Sequence, residues 1–353
     1  MNFGAIISNT RNKFGLTLQE VSDKLSVDKG LLSKIERGQR RASKKLLYRF
    51  IDFYNLPEDQ ALISWLSDKI LYELKDHPFA LDAMKLAESS VKYSVRDFEF
   101  DGDAELHELL CKADELKDKW CSKRPLDQTQ LSKMKEHFDL NYTYESNKIE
   151  GNTLTLQETF LVVKEGLTVS GKSMNEHLEA VNHAEAIDFI VDVVKRKELV
   201  TERLLQEIHY LILKGINREN AGRYRNVPVA ISGSEHKPPQ PYLVEKQMED
   251  VFEFYRDNHL KIHPIVLAAE MHERIVSVHP FIDGNGRTSR LMMNLILLMN
   301  GYTIAIIKGE DSSRFQYYNS LEEVHVNNNR LPFYKLVANR CVDSLNDHIA
   351  LAG

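Results

Sequence analysis

Twelve consecutive residues, His279-Pro280-Phe281-Ile282-Asp283-Gly284-Asn285-Gly286-Arg287-Thr288-Ser289-Arg290, lead straight into the apolar run Leu291-Met292-Met293-Asn294-Leu295-Ile296-Leu297-Leu298-Met299. Such a run reads as a buried helix, and Asn300-Gly301 supplies its C-terminal stop. Any fold of this chain must wrap a core around that helix and present the glycine turn at its N-terminus. Free N–H groups and the helix dipole favour an anion at that end. The residue types in the turn suit the handling of a nucleoside triphosphate. His279 changes charge near neutral pH and is a candidate general base. Asp283 offers the hard oxygen ligand that Mg²⁺ takes. Gly284 and Gly286 allow positive φ and close approach of the backbone to a ligand. Arg287 and Arg290, three apart on one side of the helix, carry guanidinium groups that hold phosphates bidentately.

With 353 residues, 42% hydrophobic and 28% charged, the chain has ample material for a core and is long for one domain. No run of about 18 apolar residues indicates a membrane span, and the first residues lack the basic-then-apolar order of a signal peptide. Cys111, Cys121 and Cys341 cannot all pair, and no CxxC or Cys/His cluster suggests structural zinc. The cytoplasm is the expected compartment, with no membrane partner. Charge is uneven. Residues 1–45 hold ten Lys/Arg against four acids, +6, while the whole chain is −6 and the remainder therefore −12. A basic unit on an acidic body points to an anionic partner for the N-terminus.

Leu16 to Leu25 carries apolar residues at helical spacing, with Thr17 and Glu20 as a capping box. A short turn at Ser26-Val27-Asp28 leads to a second helix over Lys29 to Gly38, which makes a helix-turn-helix. The segment resembles the Cro/C1-type (Xre-like) DNA-binding domain, most clearly in SKIERGQR. The resemblance implies DNA contact through Lys29, Ser33, Lys34 and Arg37. Leu18 stands where that family usually has glutamine, Ser26 replaces the usual turn glycine, and Gly30 weakens the recognition helix. If the module works as a homodimer, its half-sites lie about one DNA turn apart.

Most of residues 104–353 reads as helix, and Arg223 to Tyr242 reads as a short β-hairpin or extended loop. The polar stretch Ser89 to Asp103 reads as linker. Ser146 to Asn152 ends a helix, because Gly151 and Asn152 suit a C-terminal cap, and Thr155 with Glu158 opens the next. Glu150 then sits in a last turn, where a carboxylate is disfavoured and a compensating partner elsewhere is expected.

The segment His279 to Arg290 matches the Fic-domain signature HxFx(D/E)GNGRxxR at every specified position, and Ser146 to Gly151 resembles the (S/T)xxxE(G/N) inhibitory helix of the same family. Glu179-Ala180-Val181-Asn182-His183, Ala221 to Arg225 and Gly301-Tyr302 resemble further family segments, and Gly233-Ser234-Glu235-His236 resembles the flap over the active site. The resemblance implies an all-α fold: a Fic helical bundle with a short β-hairpin flap, preceded by a helix-turn-helix domain. The implied division is 1–57 helix-turn-helix, 58–103 connector and linker, and 104–353 Fic region, with an inhibitory helix at 140–151 and a core at about 200–340.

The implied activity is transfer of AMP from ATP, with Mg²⁺, to a Tyr, Ser or Thr hydroxyl of a protein, itself or a partner. His279 would be the base and Asp283 the metal ligand. Asp283, Gly284, Asn285, Gly286, Arg287, Thr288, Ser289 and Arg290 would bind the nucleotide. So would Gly233, Ser234, Glu235 and His236 of the flap, with Tyr317 and Tyr318 at the adenine. His325 stands where the family has asparagine. Glu150 would pair with Arg290 and withhold it from the γ-phosphate, while Ser146 and Gly151 shape the inhibitory helix. Two alternatives stay open: removal of AMP with Glu150 aligning a water, and a DNA-binding regulator that only senses nucleotide.

Overall fold

The computed structural model describes residues 3–74, 77–80, 84, 103–123, 126–231 and 233–353. The chain forms two compact units, Met1–Lys92 and Tyr93–Gly353. Most of the stretch expected as linker, 89–103, lies outside the described residues.

The first unit holds α1 (Phe3–Lys13), α2 (Leu18–Lys24), α3 (Lys29–Glu36), α4 (Lys44–Tyr54) and α5 (Glu58–Leu74). Ile7, Val21, Leu32, Leu47 and Phe50 are wholly buried at its centre. Thr17 and Glu20 form the capping box of α2, and Asp28 caps α3 by accepting from the Leu31 N–H at 2.8 Å. Ser26, in the turn between them, adopts φ 42°, the left-handed region that glycine tolerates better. Arg11 grips Glu36 with two bonds, Nε at 2.7 Å and Nη2 at 2.9 Å, and so ties α1 to the end of α3. Lys29, Lys34 and Arg37 are exposed and Ser33 is half-buried. Lys29, Ser33 and Arg37 recur every four residues along one helix side.

The second unit holds α6 (Ala104–Ser122), α7 (Gln128–Ile149), α8 (Leu156–Lys164), α9 (Met174–Arg196), α10 (Glu202–Leu213), α11 (Val244–Asn258), α12 (Pro264–Val278), α13 (Asn285–Met299), α14 (Asp311–Asn327) and α15 (Leu331–Ala352). Its centre is the pair α12 and α13, the two most extensively packed neighbours. Both are buried along nearly their whole length, with apolar residues on every side and a few buried polar groups among them. The turn 279–284 joins them. Around the pair lie α9, α10 and α15. The helix that carries the stretch 140–151 begins at Gln128, where Asp127 accepts from the Thr129 and Gln130 N–H groups.

One expectation fails. Among the described residues there is no strand, so the short β-hairpin expected over Arg223 to Tyr242 does not form. Pro228, Pro238, Pro239 and Pro241 remove ladder donors from this stretch. Its two arms are instead held by one guanidinium, Arg225, which donates to Val227 O at 3.1 Å and Pro239 O at 2.7 Å. Among the described residues no helix is long and apolar enough to cross a membrane.

Ile190 of α9 is wholly buried in the second core. Ile190→Ala is expected to lower stability by about 3 kcal/mol, measured by urea denaturation. A loss below about 1 kcal/mol would contradict the packing described.

Candidate active site

His279 is the C-cap of α12 and adopts a left-handed backbone, φ 48°. Its Nδ1 lies 3.3 Å from the Val276 carbonyl. A carbonyl only accepts, so Nδ1 carries the proton and Nε2 keeps its lone pair, the state a general base needs. Burial, aided by nearby Arg225 and His236, pushes His279 below the ordinary histidine range; the Val276 carbonyl and Glu150 oppose this.

Three groups fix the turn behind His279. Asn285 closes it from within, accepting from Phe281 N at 2.9 Å and donating to Phe281 O at 2.8 Å. The wholly buried Phe281 ring stacks on His209 at 3.6 Å. His209 accepts from Gly222 N at Nδ1 and donates from Nε2 to Asp283 O, both at 2.9 Å. Burial pushes His209 down to about 4, so it is a neutral strut. Arg225 is the third, donating to His279 O at 2.8 Å while its N–H reaches Pro280 O at 2.9 Å.

The helix N-terminus beyond the turn has no side-chain cap. Gly284 is the N-cap of α13 at φ 76°. The Asp283 side chain is 57% exposed at its rim, 3.5 Å from Arg287, and accepts from Gly284 N at 2.6 Å. Arg287 is buried and pairs with Glu179 at 3.0 Å. Thr288 and Ser289 are wholly buried, and the Ser289 hydroxyl donates to Gly286 O at 2.9 Å.

Glu150 fills the space over this helix end. A Cβ on residue 286 would lie 2.3 Å from Glu150 Oε1, so any side chain there would force the carboxylate to shift. Glu150 accepts from Arg290 Nη2 at 2.7 Å. Arg290 also donates to Ser146 O at 2.9 Å, Ser146 Oγ at 3.1 Å and Tyr317 OH at 3.4 Å, and is 1% exposed. Burial resists ionisation of Glu150, but Arg290 and Arg287 outweigh it and hold the carboxyl below its ordinary range. The helix end is fixed by a Schellman pattern: Asn152 N to Asn147 O at 3.1 Å and Gly151 N to Lys148 O at 3.0 Å. Gly151 has φ 97°.

Tyr317 is a core residue whose hydroxyl joins His272 at 3.0 Å, whereas Tyr318 is 43% exposed and donates to Ile149 O at 3.2 Å. The loop tip is anchored to α14. Glu322 accepts from the Ser234 hydroxyl and from Glu235 N, and His236 stacks on His325 at 4.2 Å. His236 Nε2 also donates to Ser277 O at 2.8 Å, and Gly233 has φ 80°.

Residues 199–297 match the model of the Fic/DOC family, and residues 7–60 match a helix-turn-helix model. A Fic domain-containing signaling protein from Bacteroides thetaiotaomicron is 30% identical, with TM-score 0.62, over 68% of this chain and 96% of its own. The chain belongs to the Fic/DOC family. Fic-1 from C. elegans is 28% identical with TM-score 0.61, over 86% of this chain and 84% of that one. The protein adenylyltransferase Fic of Nematostella vectensis is 37% identical over 242 residues, 68% of this chain and 55% of its own. The chain spans about half the length of the curated relatives it matches.

Two supports of this Fic site, His209 and Glu322, carried no signal in the sequence. His209 sits in an ordinary amphipathic helix, and Glu322 is one acid among several on α14. Arg225 and Glu179 stand in family-like segments, but their contacts are tertiary. Gly286→Ala is expected to push Glu150 off Arg290 and leave a buried charge poorly paired. Despite the better helix propensity of alanine, a net stability loss of about 2 kcal/mol is expected. Chemical denaturation that finds the variant more stable than the parent would contradict this geometry.

Proposed function

We propose that this chain is an autoinhibited protein adenylyltransferase that transfers AMP from ATP to a hydroxyl side chain of a protein, itself or a partner. One observation carries the reading. The Glu150 carboxylate lies over Gly286 and on Arg290, where a helix N-terminus would otherwise receive an anion. The name protein adenylyltransferase borne by relatives supports it.

In this reading the target oxygen attacks the α-phosphorus as His279 Nε2 takes its proton. The bond from the α-phosphorus to the bridging oxygen breaks, and pyrophosphate leaves with that electron pair. N–H groups at the start of α13 and the two arginines hold the phosphates, and the held geometry lowers the barrier through orientation and fixed dipoles. The exposed Asp283 carboxylate fits Mg²⁺. The ion's other ligands would come from phosphate and water. When bound, Mg²⁺ would neutralise phosphate charge. Ser234, Glu235 and His236, tied to α14 and α12, would make the extended loop the flap on which a target segment docks. Tyr318 is the better candidate for stacking on adenine, since the Tyr317 ring is buried.

The division of labour would follow residues 1–57 for DNA and 104–353 for chemistry, with 58–103 between them. A second reading, removal of AMP, draws on the ionised Glu150 carboxylate, which at 31% exposure could orient a water. Loss of the adduct of a Glu150→Gly protein upon addition of the parent would favour it.

Incubation with ATP and Mg²⁺ followed by intact mass tests the main reading. Glu150→Gly is expected to gain AMP at least tenfold faster than the parent, a change of about 1.4 kcal/mol, and His279→Ala should abolish the gain. Absence of adduct in Glu150→Gly, with any candidate target supplied, would count against transfer. Burial holds His279 below the ordinary histidine range, so the acid limb of the rate should lie below that of an unperturbed histidine. Glu150 stays ionised because its pKa is depressed, so inhibition of the parent should persist from about pH 8 to 6 and weaken only in acid.

For the N-terminal unit, Lys34→Ala should weaken duplex DNA binding and lower the salt slope by about 1. Unchanged affinity at low salt would reject Lys34 as a phosphate contact.

A further inference from the structure

The first motif arginine is tied to the inhibitory segment through one carboxylate. Arg287 is 3% exposed, and its Nη1 binds Glu179 Oε1 at 3.0 Å. Its Nε is buried with no hydrogen-bond partner, so Glu179 is its main polar anchor. The other Glu179 oxygen, Oε2, accepts from Asn152 Nδ2 at 2.8 Å, and its backbone carbonyl accepts from Asn147 Nδ2 at 3.3 Å. Asn147 and Asn152 are the two ends of the Schellman cap around Glu150. Glu179 therefore touches the motif helix on one side and both flanks of the inhibitory glutamate on the other.

We propose that Glu179 is a positioning residue that makes phosphate capture by Arg287 and retention of the Glu150 cap mutually exclusive. This rests on the reading of the Gly284 to Arg290 turn as a phosphate site. A triphosphate that reaches Arg287 arrives beside the Glu179 carboxylate, and like charges in a half-buried setting repel. Glu179 yields Arg287 to the phosphate by swinging away, and the same rotation takes Oε2 from Asn152. The cap around Glu150 loses a part-buried hydrogen bond, and Glu150 is freed to leave Arg290. A tight cap conversely holds Glu179 in place and opposes nucleotide, as reciprocity of coupling demands. Glu179 touches no reacting atom, so its effect runs through Arg287 and Asn152.

The test is calorimetric and independent of turnover. The full-length parent, Asn152→Ala, Glu179→Gln and the double variant are titrated with the α,β-methylene analogue of ATP, whose transferable bond cannot break, and separately with AMP, which lacks the outer phosphates. Asn152→Ala leaves the phosphate site untouched but removes the bond that capture must break. Glu179→Gln keeps an acceptor while removing the repulsion. Each single variant is expected to tighten the triphosphate about tenfold and to change AMP by less than about twofold. The double variant should gain clearly less than the product of the two, because both act through one link. An unchanged ratio of triphosphate to AMP affinity in Asn152→Ala and Glu179→Gln, with the parent binding nucleotide normally, overturns the coupling alone. A parent, Asn152→Ala and Glu179→Gln that all fail to bind the triphosphate overturn the coupling and the phosphate reading beneath it. A merely structural Glu179 would move both ligands together.

Discussion

The second unit depends on the burial of one cation. Arg290 lies on a helix buried along nearly its whole length and is 1% exposed, so its charge must be answered locally. Breaking a buried pair by removing one partner costs about 3–5 kcal/mol. The answer comes from two other helices, through Ser146 and Glu150 of α7 and its cap and Tyr317 of α14. Packing of α7 against α13 is thus an electrostatic requirement as much as an apolar one.

The same arrangement leaves a conflict in place. Glu150 ends its own helix, where the dipole disfavours a carboxylate, and is accommodated at the start of another, where the dipole favours it. What favours Glu150 at that spot is a helix N-terminus, a glycine without a side chain and two arginines. These features attract any anion. A phosphate and a carboxylate therefore compete for one environment, which gives the proposed autoinhibition a physical basis in mutual exclusion.

The turn from His279 to Gly284, by contrast, is built to stay still. Its supports are neutral or fully paired: an asparagine that clips Phe281 at both backbone atoms, a histidine held uncharged by burial, and an arginine spent on carbonyls. None of them competes for the anion. The left-handed φ of His279 costs energy that this surrounding lattice of bonds sustains. A rigid turn faces a displaceable carboxylate, and that asymmetry would separate the proposed chemistry from its control.

Local chemistry determined what could be read from the chain alone. The apolar run after Arg290, the Thr17 and Thr155 caps and the Gly151 stop act over a few residues, so they are legible in order along the sequence. The Glu150–Arg290 pair spans 140 positions, and it was legible only because both ends sit in recognisable motifs. The rest was decided by tertiary structure. Nothing local marks His209 as the strut of Asp283, Glu322 as the anchor of the loop tip, or Glu179 as the link from Arg287 to Asn152. The expected hairpin failed for the same reason. Pattern suggests extended chain, but the pairing of its arms was taken over by the Arg225 guanidinium, whose contacts exist only once the core has formed.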